Sequence, residues 1–206
     1  MGLFGRAGTG EPYDWLIVGL GNPGEKYART RHNVGEEAVR LLAERRGVTL
    51  KGGRANALVA ETRFPGPDGD ERVVLAFPIT FMNESGQAVS SLVRRYRIES
   101  PEQIIVIQDE LDLPPGELKL KAGGGLAGHN GLRSITQHLK STDYLRIRIG
   151  VGKPEHKDVG RGHVLSKVPK AERELLDVRV VDAADAAEMI IARGVDAAMQ
   201  SYNGTR

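Results

Sequence analysis

Trp15-Leu16-Ile17-Val18-Gly19-Leu20-Gly21-Asn22-Pro23-Gly24 decides the architecture. A short apolar run without polar alternation predicts a strand buried on both faces, and the glycine- and proline-rich end predicts a tight loop. Asn33, with Glu36 three residues on, carries a capping-box signature, and Val34, Ala38, Leu41 and Leu42 recur at helical spacing towards Gly47. Working outward, residues 57–63 and 72–77 flank Pro65 to Asp70 and predict a hairpin with a long tip. Residues 85–96 predict a second helix, and 104–107 a second buried strand ending at Gln108-Asp109-Glu110. A short alternating strand over 117–121, a helix over 129–139, an alternating strand over 144–151 and one or two amphipathic helices over 170–201 complete the pattern. Interleaved strands and helices around a central hairpin imply an α/β fold: a single layered domain, 15–206, with a mixed β-sheet flanked by helices. Residues 1–14 are expected to form a flexible N-terminal extension.

Composition narrows the classes. The chain has 206 residues, 40% hydrophobic and 27% charged, which fits one globular domain and not a disordered or membrane protein. It has no Cys, which excludes disulfides, thiolate metal sites and a Cys nucleophile and leads us to expect a cytoplasmic location. The net charge of +2 hides an uneven distribution. From Lys119 to Lys167 ten Lys or Arg stand against three acids, whereas from Ala171 to Met199 seven acids face three Arg. A solvated surface explains charge runs of this kind; so does an electrostatic footprint for phosphate.

Motifs exclude more than they assign. Gly19-Leu-Gly21-Asn-Pro-Gly24 matches the dinucleotide fingerprint G-x-G-x-x-G, but Pro23 and the capping signals place the helix start about nine residues beyond the third glycine, where that fold opens it directly. Gly123-Gly-Gly125-Leu-Ala-Gly128 matches a second time, which shows how readily a chain with 26 glycines produces it. There is no phosphate-loop Lys-Ser/Thr and no Gly-x-Ser-x-Gly elbow. The five His (32, 129, 138, 156, 163) lack His-Glu-x-x-His spacing or any short pairing that would place two imidazoles on one metal, so no metal and no cofactor is expected. What remains is water activated by an imidazole whose second nitrogen is held by a carboxylate. His32 before a helix start and Asp109 at the end of a buried strand are candidates, although a capping His and a turn Asp would look the same. Asn22, Asn33, Asn83 and Asn130 occupy loops or helix starts, where Asn commonly serves turn chemistry.

Seven blocks in order, Gly19-Leu-Gly-Asn-Pro-Gly24, Tyr27, Thr30-Arg-His-Asn33, Thr80-Phe-Met-Asn-Glu-Ser-Gly86, Asp109-Glu-Leu-Asp-Leu-Pro-Pro-Gly116, Gly128-His-Asn-Gly-Leu132 and Arg146-Ile-Arg-Ile-Gly-Val-Gly152, resemble the bacterial peptidyl-tRNA hydrolase family from Trp15 to the C-terminal helix. The resemblance implies hydrolysis of the ester joining peptide to the terminal ribose of tRNA, recycling tRNA from peptidyl-tRNA that has left the ribosome early, without metal or cofactor. It implies His32 as the general base, Asp109 as the carboxylate that orients it, and Asn22 as the residue that distinguishes an N-blocked aminoacyl group from a free amine. It implies further substrate contacts at Tyr27, Phe81, Asn83 and Asn130, and a grip on tRNA phosphates by Lys119, Lys121 and Arg148. Residues 159–168 would cover the peptide channel. Leu126-Ala127 and Gln108 depart from the family pattern without touching this chemistry. Members of the fold that bind RNA without hydrolysis supply the alternative, a binding module, against which His32 and Asp109 both speak. A monomer acting on the acceptor end of tRNA, away from membranes, is the expected form.

Overall fold

Leu16, Ile17 and Val18 are fully buried in β1 (Trp15–Gly19), which pairs in parallel with β4 (Gly69–Pro78) on one side and β5 (Ile104–Glu110) on the other. The computed structural model describes residues 3–4, 11–53, 55–154 and 160–204, the side chains of 160 and 161 excepted. With β2 (Lys51–Gly52), β3 (Ala57–Gly66), β6 (Leu118–Ala122) and β7 (Leu145–Gly150) the strands form one mixed seven-stranded sheet in the order β2-β3-β4-β1-β5-β7-β6. The β5–β7 pair is parallel; β2–β3, β3–β4 and β6–β7 are antiparallel.

Both faces are covered, which explains why the central strands are apolar without alternation. Ile17, Leu75, Ile105, Ile107 and Ile147 pack on one side with α1 (Val34–Arg45), α5 (Lys170–Arg193) and α6 (Val195–Asn203). Leu16, Val18, Val74, Ile104 and Val106 pack on the other with α2 (Ser85–Tyr96) and α3 (Asn130–Leu139). A short α4 (Gly160–Leu165) precedes α5. Because the chain leaves β1 for one face and β4 for the other, a crevice opens at the carboxyl ends of β1 and β5, where open α/β sheets build their sites.

The first glycine of the apparent dinucleotide motif has a packing role. A Cβ on Gly19 would lie 2.1 Å from the Gly35 carbonyl oxygen, and one on Gly35 would lie 2.2 Å from that of Ile107, so the start of α1 is pressed directly against β1 and β5. That close approach fixes the turn Arg31–Asn33 beside the end of β5.

Three expectations are corrected. The hairpin has no long tip: β3 and β4 stay in register through Pro65↔Asp70 to Gly66↔Gly69, leaving a two-residue turn. Asn33 precedes α1 but makes no side-chain cap; its amide accepts from the Asn22 N–H (3.0 Å) and donates to the Asn22 carbonyl (2.9 Å) and to Glu36 (2.6 Å). In β7 the alternation fails at Arg146, which is only 2% exposed because its guanidinium donates to the carbonyls of Gly123, Gly124 and Gly125. At the N-terminal side, Tyr13 N–H bonds to the Tyr96 carbonyl (3.0 Å) and Asp14 accepts from the Arg72 N–H (2.6 Å), so these two residues are tied into the domain. Among the described residues no helix is long and apolar enough to cross a membrane.

Candidate active site

Asp109 is the penultimate residue of β5, at its carboxyl end, and is 2% exposed. Two imidazoles converge on it. His32, on the turn before α1, places Nδ1 2.8 and 3.0 Å from the two carboxylate oxygens, and His129 places Nε2 3.1 Å from Oδ1. The protons on both rings follow from their other partners. His129 is the N-cap of α3, and its Nδ1 accepts from the N–H groups of Gly131 (3.1 Å) and Leu132 (3.4 Å), so its proton sits on Nε2 and is donated to Asp109. His32 likewise donates Nδ1–H to the carboxylate, which leaves Nε2 as a lone-pair acceptor.

The electrostatics agree. Burial pushes the Asp109 carboxyl up, but the two neighbouring imidazoles and their hydrogen bonds outweigh it and hold the group well below the usual carboxylate range. Burial of His32 opposes its charging, and Asp109 outweighs that in turn, so the imidazole is raised above its ordinary value. An ionised carboxylate thus fixes the tautomer of a basic imidazole.

A cavity of about 720 Å³ opens on this cluster and is lined by Asn22, Tyr27, His32, Phe81, Asn83, Asp109 and Asn130. Asn22 follows β1 in a loop that Asn33 locks from both sides. Its Oδ1 accepts from the Met82 N–H at 2.9 Å, so the amide orientation is set and Nδ2 is the group left to donate. Phe81 is 54% exposed, Tyr27 half-buried with the Lys26 Nζ 4.8 Å above its ring, and the Asn130 Oδ1 accepts from Arg133 (3.3 Å). Val164 and Leu165 of the expected cover line the cavity; Val159 lies outside the described residues.

Lys119, Lys121 and Arg148 stand apart from the cavity on β6 and β7, with Lys119 opposite Arg148 in register. Arg148 is not a free cation. It lies 3.6 Å from Glu110, a buried carboxylate on the cavity wall, so of the expected three-point phosphate grip one member is already paired, while Lys119 and Lys121, both half-buried, have no ion pair among the described residues.

Reasoning by spacing missed His129, because the fold and not the local sequence puts two imidazoles on one carboxylate. The usable signal was its place as the last residue of a glycine loop before a helix start. The donor atoms of His32, Asp109 and His129 lie within 4.8 Å of one another, the separation a metal would need. Both ring nitrogens facing Asp109 carry protons in the arrangement described, and the second His129 nitrogen is spent on α3, so ligation would cost two hydrogen bonds and strain the helix cap.

An imidazole–carboxylate pair whose second imidazole nitrogen has no hydrogen-bond partner among the described residues, at the carboxyl ends of a mixed α/β sheet, is an arrangement able to act as a general base. The family model for peptidyl-tRNA hydrolase matches residues 16–206, and the chain belongs to that family. It is 48% identical to peptidyl-tRNA hydrolase of Leifsonia xyli over 189 residues, 92% of this chain and 96% of that one, and 45% identical to that of Chloroflexus aggregans, with 92% and 98% covered. The crystal structure of peptidyl-tRNA hydrolase from Acinetobacter baumannii superposes with a TM-score of 0.82 at 40% identity, covering 96% of this chain and 99% of the other.

Proposed function

We propose that the protein hydrolyses the ester between peptide and tRNA in peptidyl-tRNA, with water activated by His32 and without a metal ion. The observation that carries this is the double hydrogen bonding of Asp109, which leaves Nε2 of His32 as the one base of the cluster facing the cavity. Nε2 takes a proton from water as the oxygen attacks the ester carbonyl. The tetrahedral intermediate then collapses, and the protonated imidazole returns the proton to the leaving ribose oxygen. Asp109 stabilises the transient imidazolium, and His129 keeps Asp109 ionised and oriented. Asn22 Nδ2 donates to the substrate's peptide carbonyl, a group an unblocked aminoacyl ester lacks. Tyr27, Phe81, Asn83 and Asn130 hold the acyl group and terminal nucleotide, and Lys119 and Lys121 face the phosphates beside Arg148, which is paired with Glu110. All these residues come from one chain between Trp15 and Arg206, which is the catalytic unit in this reading and needs no second copy.

The test is incubation with N-acetyl-aminoacyl-tRNA and with free aminoacyl-tRNA, each with and without a chelator. Cleavage of the blocked ester, undiminished by chelation, is expected. Binding of tRNA without turnover would make the protein a binding module instead, and turnover abolished by chelation would make it a metalloenzyme.

A further inference from the structure

Arg31 immediately precedes His32 yet lines no part of the cavity, and the residue is 4% exposed. All three of its guanidinium nitrogens are engaged. Nε and one terminal nitrogen fork onto Glu172 of α5, both at 2.6 Å. The other terminal nitrogen donates to the His163 carbonyl at 3.2 Å and to Ser166 Oγ at 3.0 Å. Ser166 Oγ also donates back to the His163 carbonyl (2.8 Å), and Thr30 forms an isolated backbone bridge with Lys167. One cation therefore ties three pieces together: the turn that carries His32, the first turn of α5, and the segment 163–166. That segment supplies Val164 and Leu165 to the cavity wall. The next residue of α5 repeats the arrangement with signs exchanged, Arg173 forking onto Glu37 at 3.1 and 2.8 Å.

A buried ion pair adds little net stability, because desolvation offsets the attraction; what a planar fork with four acceptors supplies is geometry. We infer that Arg31 is a positioning residue that holds Val164 and Leu165 against the cavity, and that these two side chains form an apolar seat for the amino-acid side chain next to the ester. The inference rests on the hydrolase reading above and extends it to substrate selectivity: bulky apolar acyl groups depend on the clamp, and glycyl groups do not. Lysine cannot replace the arginine, since one ammonium cannot reach a carboxylate in a fork and two further oxygens on the opposite side.

The experiment compares Arg31→Lys, Arg31→Met, Glu172→Gln and Ser166→Ala with wild type on tRNA carrying N-acetyl-phenylalanine or N-acetyl-glycine, with amide hydrogen exchange over residues 163–168 read on the same free proteins. The first three variants are expected to raise KM for the phenylalanyl ester about tenfold, the equivalent of one partly lost apolar contact. KM for the glycyl ester and both kcat values should stay within about threefold, and exchange over 163–168 should quicken; Ser166→Ala should do the same more weakly. Arg31→Met combined with Glu172→Gln should be no worse than the poorer single variant, because the two remove one interaction. Equal losses on both esters, a fall in kcat alone, or unchanged exchange would overturn the clamp. A wild-type protein that cleaves neither ester sinks the hydrolase reading and the selectivity with it, and exchange then decides the positioning role alone.

Discussion

His32 and Asp109 are 77 residues apart in sequence and 2.8 Å apart in space, and the consequence is a testable pH dependence. His32 works as a base only when neutral, and its pKa is raised above the ordinary 6.5, so kcat/KM should climb along an acid limb centred above that value. In Asp109→Asn the raising charge is gone while burial, which lowers the pKa, remains; the limb should move to lower pH even as the rate falls. A limb that stays in place would mean another group titrates. His32→Ala should lose roughly 10²- to 10⁴-fold in turnover with tRNA affinity preserved, measured by single-turnover cleavage beside a binding assay. Asn22→Asp is a sharper probe of specificity than its shape suggests. The new carboxylate still accepts from the Met82 N–H, so the loop keeps its anchor, but the Nδ2 donor is lost. Cleavage of the N-acetyl ester should fall about 5- to 150-fold, the cost of an unpaired buried carbonyl, and the ratio of blocked to free substrate should narrow; an unchanged ratio would place discrimination elsewhere. Of the residues gathered at the cavity, His32 and Asp109 are candidates from their places at a helix start and a strand end, and Asn22 only through the family resemblance, while His129 and Arg31 are not singled out at all. A histidine at a helix start and an arginine before a base acquire meaning only from the partners that folding brings to them.

The elements themselves were legible where one force dominates. Helix 85–96 was expected with the bounds it has, since apolar spacing and flanking polar residues agree there. The hairpin tip differs from expectation because Pro65, Gly66, Pro67 and Gly69 carry loop signals, yet beyond Val59 the strand β3 has no partner strand on its outer side among the described residues, so Pro65 removes no ladder bond that the sheet requires. Arg146 looked like a surface residue of an alternating strand, and only the glycine carbonyls it meets make its burial intelligible. The contact between α1 and the sheet gives an element-scale prediction. Gly35→Ala forces a methyl into backbone at 2.2 Å and should cost about 1–3 kcal/mol, lowering the melting temperature by roughly 2–4 °C per kcal/mol. Gly52→Ala, whose new methyl would meet Leu58 Cδ2 at 4.0 Å and nothing nearer among the described residues, is the control and should melt as wild type does. Equal melting of the two variants would show that α1 can move away from β5 at no cost, which would also loosen the turn bearing His32.

At the scale of the whole molecule, the uneven charge seen in the sequence divides into two different structures. The acids of α5 are largely paired with arginines of α1 and its flanks, as in Arg45–Asp185 at 2.7 Å and Arg46–Glu188 at 3.4 Å, so the acidic stretch forms a part-exposed seam between α1 and α5. The basic stretch is not neutralised in the same way. On β6 and β7 the cross-strand partners are Lys119 with Arg148 and Lys121 with Arg146, four cations in two facing pairs. Arg146 is spent on the glycine loop and Arg148 on Glu110, whereas Lys119 and Lys121 have no ion pair among the described residues. These two lysines are therefore the groups able to release counterions from a phosphate backbone. Replacing both by alanine should raise KM for full-length peptidyl-tRNA and flatten the dependence of log affinity on log salt by about 0.7–0.9 per lysine. Cleavage of a short peptidyl-nucleoside, which has no backbone to reach them, should hardly change. Arg148→Ala should behave differently, because it also strips the partner from a buried carboxylate beside Asp109, and its losses should extend to the short substrate. If all three substitutions gave the same pattern on both substrates, the basic strands would be acting on the fold or the chemistry, and the seat of the tRNA phosphates would have to be sought on another face.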